Sequence, residues 1–388
     1  MASIPANSIS LGNSAGILTE GVGGRYGYLA PYTASGATLN VTVTGDLTMP
    51  ASTIAALAGG NVTVTSTGGS LDLGSQDLVD DEQEVAAAHN LALGIYTSGV
   101  GNVTVTAPGT INIDSSRIAA FNGGAVNVES FQGAVDAGSG GASEIPVYYY
   151  YVNPQTGAAA FYLEDVYASG IAAETLVGAA QIPRAASLPG NILVQTPQGD
   201  IDADQGGILQ EALNGNNSAG PTVTLIAGSP GYIGNINLGQ SGVIGGSINA
   251  TANGNINGLI ISRQDSNVNA AQNFSGTVLS GGNTTLSAGG SVAGTIIGVS
   301  SAEVSGGSIS ANVLSSKANV NGQGTQTALN TGATATTAAT AAAGETSNQN
   351  QTQVTTTAQT EDDPNKKKPK PALVRRVKRV TVLLPNQT

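Results

Sequence analysis

The amino-acid sequence predicts an all-β protein built as a parallel β-helical solenoid. Three observations carry this prediction: a short unit recurs in which Gly precedes alternating polar and β-branched residues, glycine is abundant, and large side chains are scarce. Of the 388 residues 54 are Gly, Trp and Cys are absent, and aromatic residues make up 4%. So few large side chains cannot fill the thick core of an ordinary globular domain. An elongated β architecture with small side chains inside remains.

The recurring unit often comes in pairs whose glycines are eight or nine residues apart, which predicts two short strands separated by a tight corner. In these units Asn follows Gly, whereas the two-residue turns of hairpins favour Asn or Asp before Gly. Coils that turn the same way and stack at about 4.8 Å therefore fit better than a hairpin meander. The pairs begin at Gly60 and Gly69, Gly101 and Gly109, Gly124 and Gly133, Gly190 and Gly199, Gly246 and Gly254, and Gly282 and Gly290.

The extent of the repeat predicts how the chain is organised. The repeat fills most of the chain, two long stretches interrupt it, and the composition changes to Thr, Ala, Gln and Asn near its end. Such a composition is typical of a disordered linker. We therefore expect an irregular segment over 1–35, a single rod over 36–316 with insertions at about 75–97 and 142–189, a disordered linker over 317–365 and a basic tail over 366–388.

The two interruptions differ in character. The first contains the acidic run DLVDDEQE followed by VAAAHNLALG, which predicts a short helix. In the second, aromatic segments flank Asn153-Pro154-Gln155-Thr156-Gly157, which predicts an inserted hairpin. Four consecutive tyrosines cannot all face inward on a strand, so at least two are expected to face outward and to stack on sugars or protein. The candidate ligand-binding residues are Tyr148, Tyr149, Tyr150, Tyr151, Phe161, Tyr162 and Tyr167.

Charge divides the chain. Residues 1–317 hold 21 acidic and 5 basic residues, a balance of −16, which argues against nucleic acid as a partner of the body. The basic tail predicts an electrostatic tether to an anion of the cell envelope, with nucleic acid, the acidic body itself, or no partner at all as alternatives. Its bases are Lys366, Lys367, Lys368, Lys370, Arg375, Arg376, Lys378 and Arg379.

Carboxylates offer the main candidates for chemistry. Asp200, Asp202 and Asp204 alternate along one strand and match the first positions of a calcium loop, although Gln205 replaces the Gly that its turn requires. We expect a solvated acidic face, with weak calcium binding as the alternative and no other cofactor. The same spacing would permit the carboxylate pair of a glycosidase. The only histidine, His89, is predicted on a surface helix, and no nucleophile motif accompanies it. The prediction is a protein without catalysis, with a polysaccharide-active enzyme as the alternative.

The segments GNVTVTSTGGSLDLGS (60–75) and GNVTVTAPGTINIDSS (101–116) resemble the filamentous haemagglutinin family, bacterial exoproteins exported by two-partner secretion. The resemblance covers about 36–316. It implies the C-terminal part of a right-handed parallel β-helical stalk, an adhesin at the outer surface or secreted, a glycan or protein ligand, and an outer-membrane secretion partner. The start MASIPANSISLG lacks the basic and apolar regions of a secretory signal, so we expect a piece of a longer exported chain.

Overall fold

The structure, a computed structural model, describes residues 2–3, 8–12, 14, 16–19, 37–57, 59–74, 93–138, 145–152, 159–166, 170–175, 188–212, 220–324 and 326–330. For 2–3, 145–152, 159–166 and 326–330 it describes the backbone alone. The helix predicted after the first acidic run and the basic tail lie outside these residues, as does the predicted linker from residue 331 onward.

The described chain is a parallel β-helix, as predicted. Each coil contributes a strand to up to three faces, and neighbouring coils pair in parallel along each face, within one sheet that winds around the axis. Twelve strands stack on the first face, which gives the rod a length of roughly 53 Å at the usual strand spacing. Among the described residues there is no helix, and hence none long and apolar enough to cross a membrane.

Face 1 has twelve stacked strands. Its strands are β1 (Ala2–Ser3), β4 (Leu39–Val43), β7 (Val62–Ser66), β10 (Val103–Ala107), β13 (Val126–Ser130), β18 (Ile192–Thr196), β21 (Thr222–Ser229), β25 (Ser247–Ala252), β27 (Ser266–Ala270), β29 (Asn283–Ala288), the start of β31 (Ser301–Ser315), and β32 (Ala318–Gln323).

Face 2 consists of short strands in the first coils and of longer ones near the end. Its strands are β2 (Ile9–Ser10), β5 (Leu47–Thr48), β8 (Leu71–Asp72), β11 (Ile111–Asn112), β14 (Val135–Asp136), β19 (Ile201–Asp202), β23 (Ile236–Asn237), β26 (Ile256–Ser262), β28 (Phe274–Ser280) and β30 (Ser291–Gly298). The last three continue into face 3, as does β31.

Face 3 closes each coil. Its own strands are β3 (Ile17–Thr19), β6 (Thr53–Ala56), β9 (Gly94–Thr97), β12 (Arg117–Ala120), β17 (Gly170–Thr175), β20 (Ile208–Ala212), β24 (Val243–Gly245) and β33 (Gln326–Asn330). Three strands lie outside the faces: β15 (Ile145–Val152), β16 (Ala159–Val166) and β22 (Tyr232–Ile233). We call the bends between faces 1 and 2, faces 2 and 3, and faces 3 and 1 the first, second and third corners.

The rod begins earlier and ends later than the sequence predicts. Strands β1, β2 and β3 lie in the segment expected to be irregular, and β32 and β33 lie beyond residue 316. Both predicted insertions are also too long, because β9 and β17 fall inside them and pair as ordinary face 3 strands. For β1, β2, β3, β9 and β17 the cause is strand length or burial, because two or three residues are too few to show alternation and strands buried on both sides do not alternate. β32 alternates like the strands before it.

The core is a set of inward columns of aliphatic side chains. In β7, β10 and β13 the residues alternate between fully buried and half-exposed, which confirms the predicted period of two. Face 3 differs in its first coils, where every residue of β6, β9 and β12 is buried on both sides. There the outward rings of Tyr96 and Phe121 pack edge to face at 5.6 Å.

Polar side chains stack along the first corner. Asp200, Asn235, Asn255, Asn273 and Ser291 follow one another on successive coils, and each Oδ1 accepts the backbone N–H of the next residue in the column at 2.6–3.2 Å. Each Asn also donates its Nδ2 to the Oδ1 before it, at 2.9 or 3.0 Å. A carboxylate has no donor, which suits Asp to the first position of such a ladder. The ladder ties the coils together outside the core.

Removing a middle member of the ladder should weaken the rod. Asn255→Ala leaves the Oδ1 of Asn235 without its side-chain donor and two donors of Asn273 without their acceptor, so we expect the free energy of unfolding to fall by about 1–2 kcal/mol. Asn249→Ala, at an exposed position of face 1, is the matched control and should stay within about 0.5 kcal/mol of the parent. Urea denaturation measures both, and equal losses would contradict a stabilising ladder.

Candidate functional site at the second corner

A column of acidic and amide side chains runs along the outer side of face 2 toward the second corner. Asp72, Asn112, Asp136, Asp202 and Asn237 stand in register on successive coils. Each of the first four lies three residues after the second glycine of a repeat pair, and Asn237 lies three residues after Gly234. Sequence reasoning missed this column, although that shared position is a signal that could have revealed it.

Asp114 brings a further carboxyl to the column. It is 5% exposed and has a φ of +46°, a left-handed conformation that Asp tolerates better than most residues. The Nδ2 of Asn112 donates to its Oδ2 at 3.0 Å. Burial, and next the charge and hydrogen bond of Asp114, raise the pKa of Asp72 to about 6. The ionisation of Asp72 therefore changes near pH 6.

Two more carboxyls at the second corner, one in the column and one beside it, are held toward their protonated form. Burial is the main cause that raises the pKa of Asp136, and the charge of Asp202 adds to it against the hydrogen bond from the N–H of Gly138. Burial also raises the pKa of Asp204, followed by the charge and hydrogen bond of Asp202. Carboxyls with raised pKa values in one cluster are typical both of binding and catalytic sites and of structural charge columns.

The predicted calcium residues face outward, as the alternation indicates, but only Asp202 and Asp204 contact each other. Asp200 begins the ladder of the first corner, and Asp202 accepts the Nδ2 of Asn237 at 3.4 Å. Glu211, the last position of the calcium-loop template, forms an ion pair with Arg263 at 3.5 Å. Within the described residues no three acidic or histidine side chains are grouped so that they could hold a metal ion.

The predicted hairpin is present. Strands β15 and β16 pair antiparallel as a separate two-stranded ribbon, with Tyr149 opposite Tyr162 and Tyr150 opposite Phe161. The alternation of the backbone distributes the aromatic positions over both faces. One face holds Tyr149, Tyr151 and Tyr162, and the other holds Tyr148, Tyr150 and Phe161. Tyr167, the remaining candidate, lies outside the described residues, as does His89.

The ribbon is inserted in the chain directly after a member of the acidic column. The chain leaves the coil after Gly138, two residues after Asp136, passes through the ribbon and returns at Gly170 in β17. Residues 75–92, which lie outside the described residues, follow Gly74 at the same corner two coils earlier. The second corner therefore combines titratable carboxyls with the aromatic insertion, which is the combination of hydrogen-bonding and stacking groups that ligand sites use.

Comparison of the chain with protein-family models, curated proteins and solved structures gives no match. The function must be argued from the geometry of the site.

Replacing Asp72 should change how stability depends on pH. A carboxyl whose pKa is raised on folding adds stability below its unfolded pKa and loses it as the pH rises through its folded value, here about 6. Asp72→Asn should therefore raise stability at pH 7.5 by about 1 kcal/mol, less than the full linkage value because the group is partly solvated.

The stability gained by Asp72→Asn should disappear as the pH falls to about 4. There the Asp72 carboxyl of the folded parent is protonated and is as neutral as the amide that replaces it. Thermal melts between pH 4 and 8 measure this. Glu303→Gln, at an exposed position of face 1, is the control and should show no such trend. A gain that is the same at every pH would mean that the Asp72 charge is not its cause.

Proposed function

We propose that the protein is a non-catalytic adhesin of the bacterial surface or a secreted one, in which a β-helical stalk presents inserted residues to a glycan or a protein partner. The observation that carries the proposal is the aromatic ribbon inserted at a corner of the rod. A Thr- and Asn-rich outer surface and the resemblance to filamentous haemagglutinins support an extracellular location. Export through an outer-membrane partner belongs to the same proposal.

The ribbon has the properties of a presented binding element. A two-stranded ribbon is marginally stable alone, so it gains from packing one face against protein. Because the register gives three aromatic positions to each face, packing of either face leaves three for a partner. Aromatic residues contribute large contact areas at low entropic cost, which is why they dominate binding surfaces.

Excising the ribbon should remove binding without unfolding the rod. The coil before it passes the second corner with the four residues between Asn112 and Arg117, so a link of that length can replace 137–169. We expect the full chain to bind host cells and the excised variant to lose most of that binding. Two double variants, one for each face of the ribbon, test which face binds: Tyr149→Ala with Tyr162→Ala, and Tyr150→Ala with Phe161→Ala. The variant of the face that contacts the partner should weaken binding roughly tenfold, and the other should leave it unchanged.

The rival function is a polysaccharide-active enzyme, favoured by one observation. Asp136 and Asp202 lie side by side on adjacent coils, and the pKa of Asp136 is raised, as a general acid requires. A screen of neutral and acidic polysaccharides with product detection separates the two functions. Turnover that Asp202→Asn abolishes would overturn the adhesin proposal, whereas binding without products supports it.

The basic tail is proposed as a tether to an anionic component of the cell envelope. Its eight bases lie within 14 residues and oppose the −16 balance of the body in sign. Contacts of this kind release counterions and weaken with salt. Deletion of 366–388 should release the protein from cells, and about 0.5 M salt should release the intact chain. A cell-bound fraction that neither treatment changes would contradict the tether.

A further inference from the structure

Three large hydrophobic residues are exposed at the first corner, at the other end of face 2 from the corner where the chain enters the ribbon. Phe131 is 45% exposed, Tyr232 is 49% exposed and Ile233 is 63% exposed. Phe131 directly follows β13, Pro197 follows the strand stacked on it, and β22 belongs to the coil after that. Within the described residues only Val100 and Val299 are other large hydrophobics with such exposure. We call Phe131, Tyr232 and Ile233 the apolar stripe, and apolar side chains left exposed near one another on a polar rod mark a binding surface.

Tyr232 and Ile233 belong to a short hairpin that lengthens the first corner. Thr196 pairs with Ala227, and Ile201 pairs with Ile236, so residues 228–233 span a corner that Pro197 and Gln198 cross in the coil before. Residues 228–233 are four more than the preceding coil has at this corner, and they fold back so that β22 pairs antiparallel with the end of β21.

Asn253 of the next coil holds the hairpin in place. Its Nδ2 donates to the carbonyls of Ser229 at 2.8 Å and Tyr232 at 2.9 Å. The chain therefore adds residues to a regular corner and fixes them there, with an aromatic and an aliphatic side chain in solvent. Side chains left in solvent in this way add little burial energy to the fold and take no part in its core.

The groups beside the stripe are amides and carboxyls. Gln132 and Gln198 directly follow Phe131 and Pro197 and are exposed. Glu129 lies before the corner on face 1, and Asp200 lies after it. The corner segments 129–132, 196–200 and 228–235 are all described and contain no Lys or Arg. The surface therefore offers rings, amides and negative charge, and it repels anions.

From this chemistry we infer that the first corner between Phe131 and Ile233 binds a short glycan that is uncharged or carries amino groups. A sugar ring packs its C–H face on an aromatic ring, and its hydroxyls hydrogen-bond to amides and carboxylates. Sulfated or sialylated glycans would meet Glu129 and Asp200 without a compensating base. This site is separate from the ribbon and does not depend on the proposed function.

The size of the stripe argues against a second protein chain as its occupant. Three side chains about half exposed offer roughly 300 Å² of apolar surface, given the 150–250 Å² that such side chains bury when covered. A stable protein interface needs about 800 Å² from each partner. The stripe is long enough for a short oligosaccharide, because Phe131 and Tyr232 lie two coils, or roughly 10 Å, apart along the rod.

The test is a glycan array of neutral, amino-bearing, sulfated and sialylated oligosaccharides probed with the full chain, followed by titration of the best binder in calorimetry. Tyr232→Ala and Phe131→Ala should each weaken binding roughly tenfold. Shortening 228–233 to two residues, as in the coil before, should abolish it while the melting temperature stays high. Val299→Ser is the matched control for Ile233→Ser, because both parent residues are 63% exposed.

Each other outcome overturns the inference in a recognisable way. Binding that is lost on Tyr149→Ala with Tyr162→Ala but kept on Tyr232→Ala would locate the glycan at the ribbon and leave the proposed function standing. A preference for sulfated or sialylated glycans would contradict the charge argument. If no glycan binds and sedimentation shows self-association that Tyr232→Ala removes, the occupant is a second copy of the chain.

Discussion

The whole fold depends on stacking coil upon coil at one backbone spacing. Every coil must repeat the path of the coil before it, because its inner side chains and backbone hydrogen bonds are completed only by its neighbours. This constraint is most visible where backbones nearly touch. A Cβ on Gly294, whose φ is +122°, would lie 1.9 Å from the carbonyl oxygen of Gly276, and one on Gly124 would lie 1.8 Å from that of Gly101. Only glycine permits the stack at these points.

The same constraint leaves the corners as the places where function can develop. A face cannot take an extra residue without shifting every side chain to the other side, whereas a corner can lengthen outward. Within the described residues, two corners carry insertions that bring aromatic side chains to the surface or to a separate ribbon. The second corner carries the aspartate column and sends out the aromatic ribbon, and the first corner carries the asparagine ladder and the Tyr232 hairpin. The proposed ligand sites are therefore additions to a scaffold that remains regular beneath them.

Much of this could be predicted from the sequence. Paired glycines, period-two alternation and turn residues are local signals. The β-helix and its corners followed from the first two, and the hairpin after Asp136 followed from the turn residues between its aromatic segments. The aspartate column and the stripe around Phe131 did not, because Asp72, Asp136 and Asp202 are far apart in the chain and only the length of each insertion decides which residues stack. The doubly buried strand that contains Tyr96 was missed for the same reason: its outer cover is a tertiary effect with no period of its own.

The most direct test of the account is the distance between positions that share one outer column of face 1. Thr104, Asn249 and Asn319 are in register on this face. Four coils separate Thr104 from Asn249, and four more separate Asn249 from Asn319, although the first two are 145 residues apart in the chain and the last two are 70 residues apart. The chain has no native cysteine, so spin labels on introduced cysteines report only these positions. Pulsed electron paramagnetic resonance should give two equal distances of about 19 Å and a sum of about 38 Å between the outer pair. Distances that follow sequence separation, or that are unequal, would contradict the stacked coil.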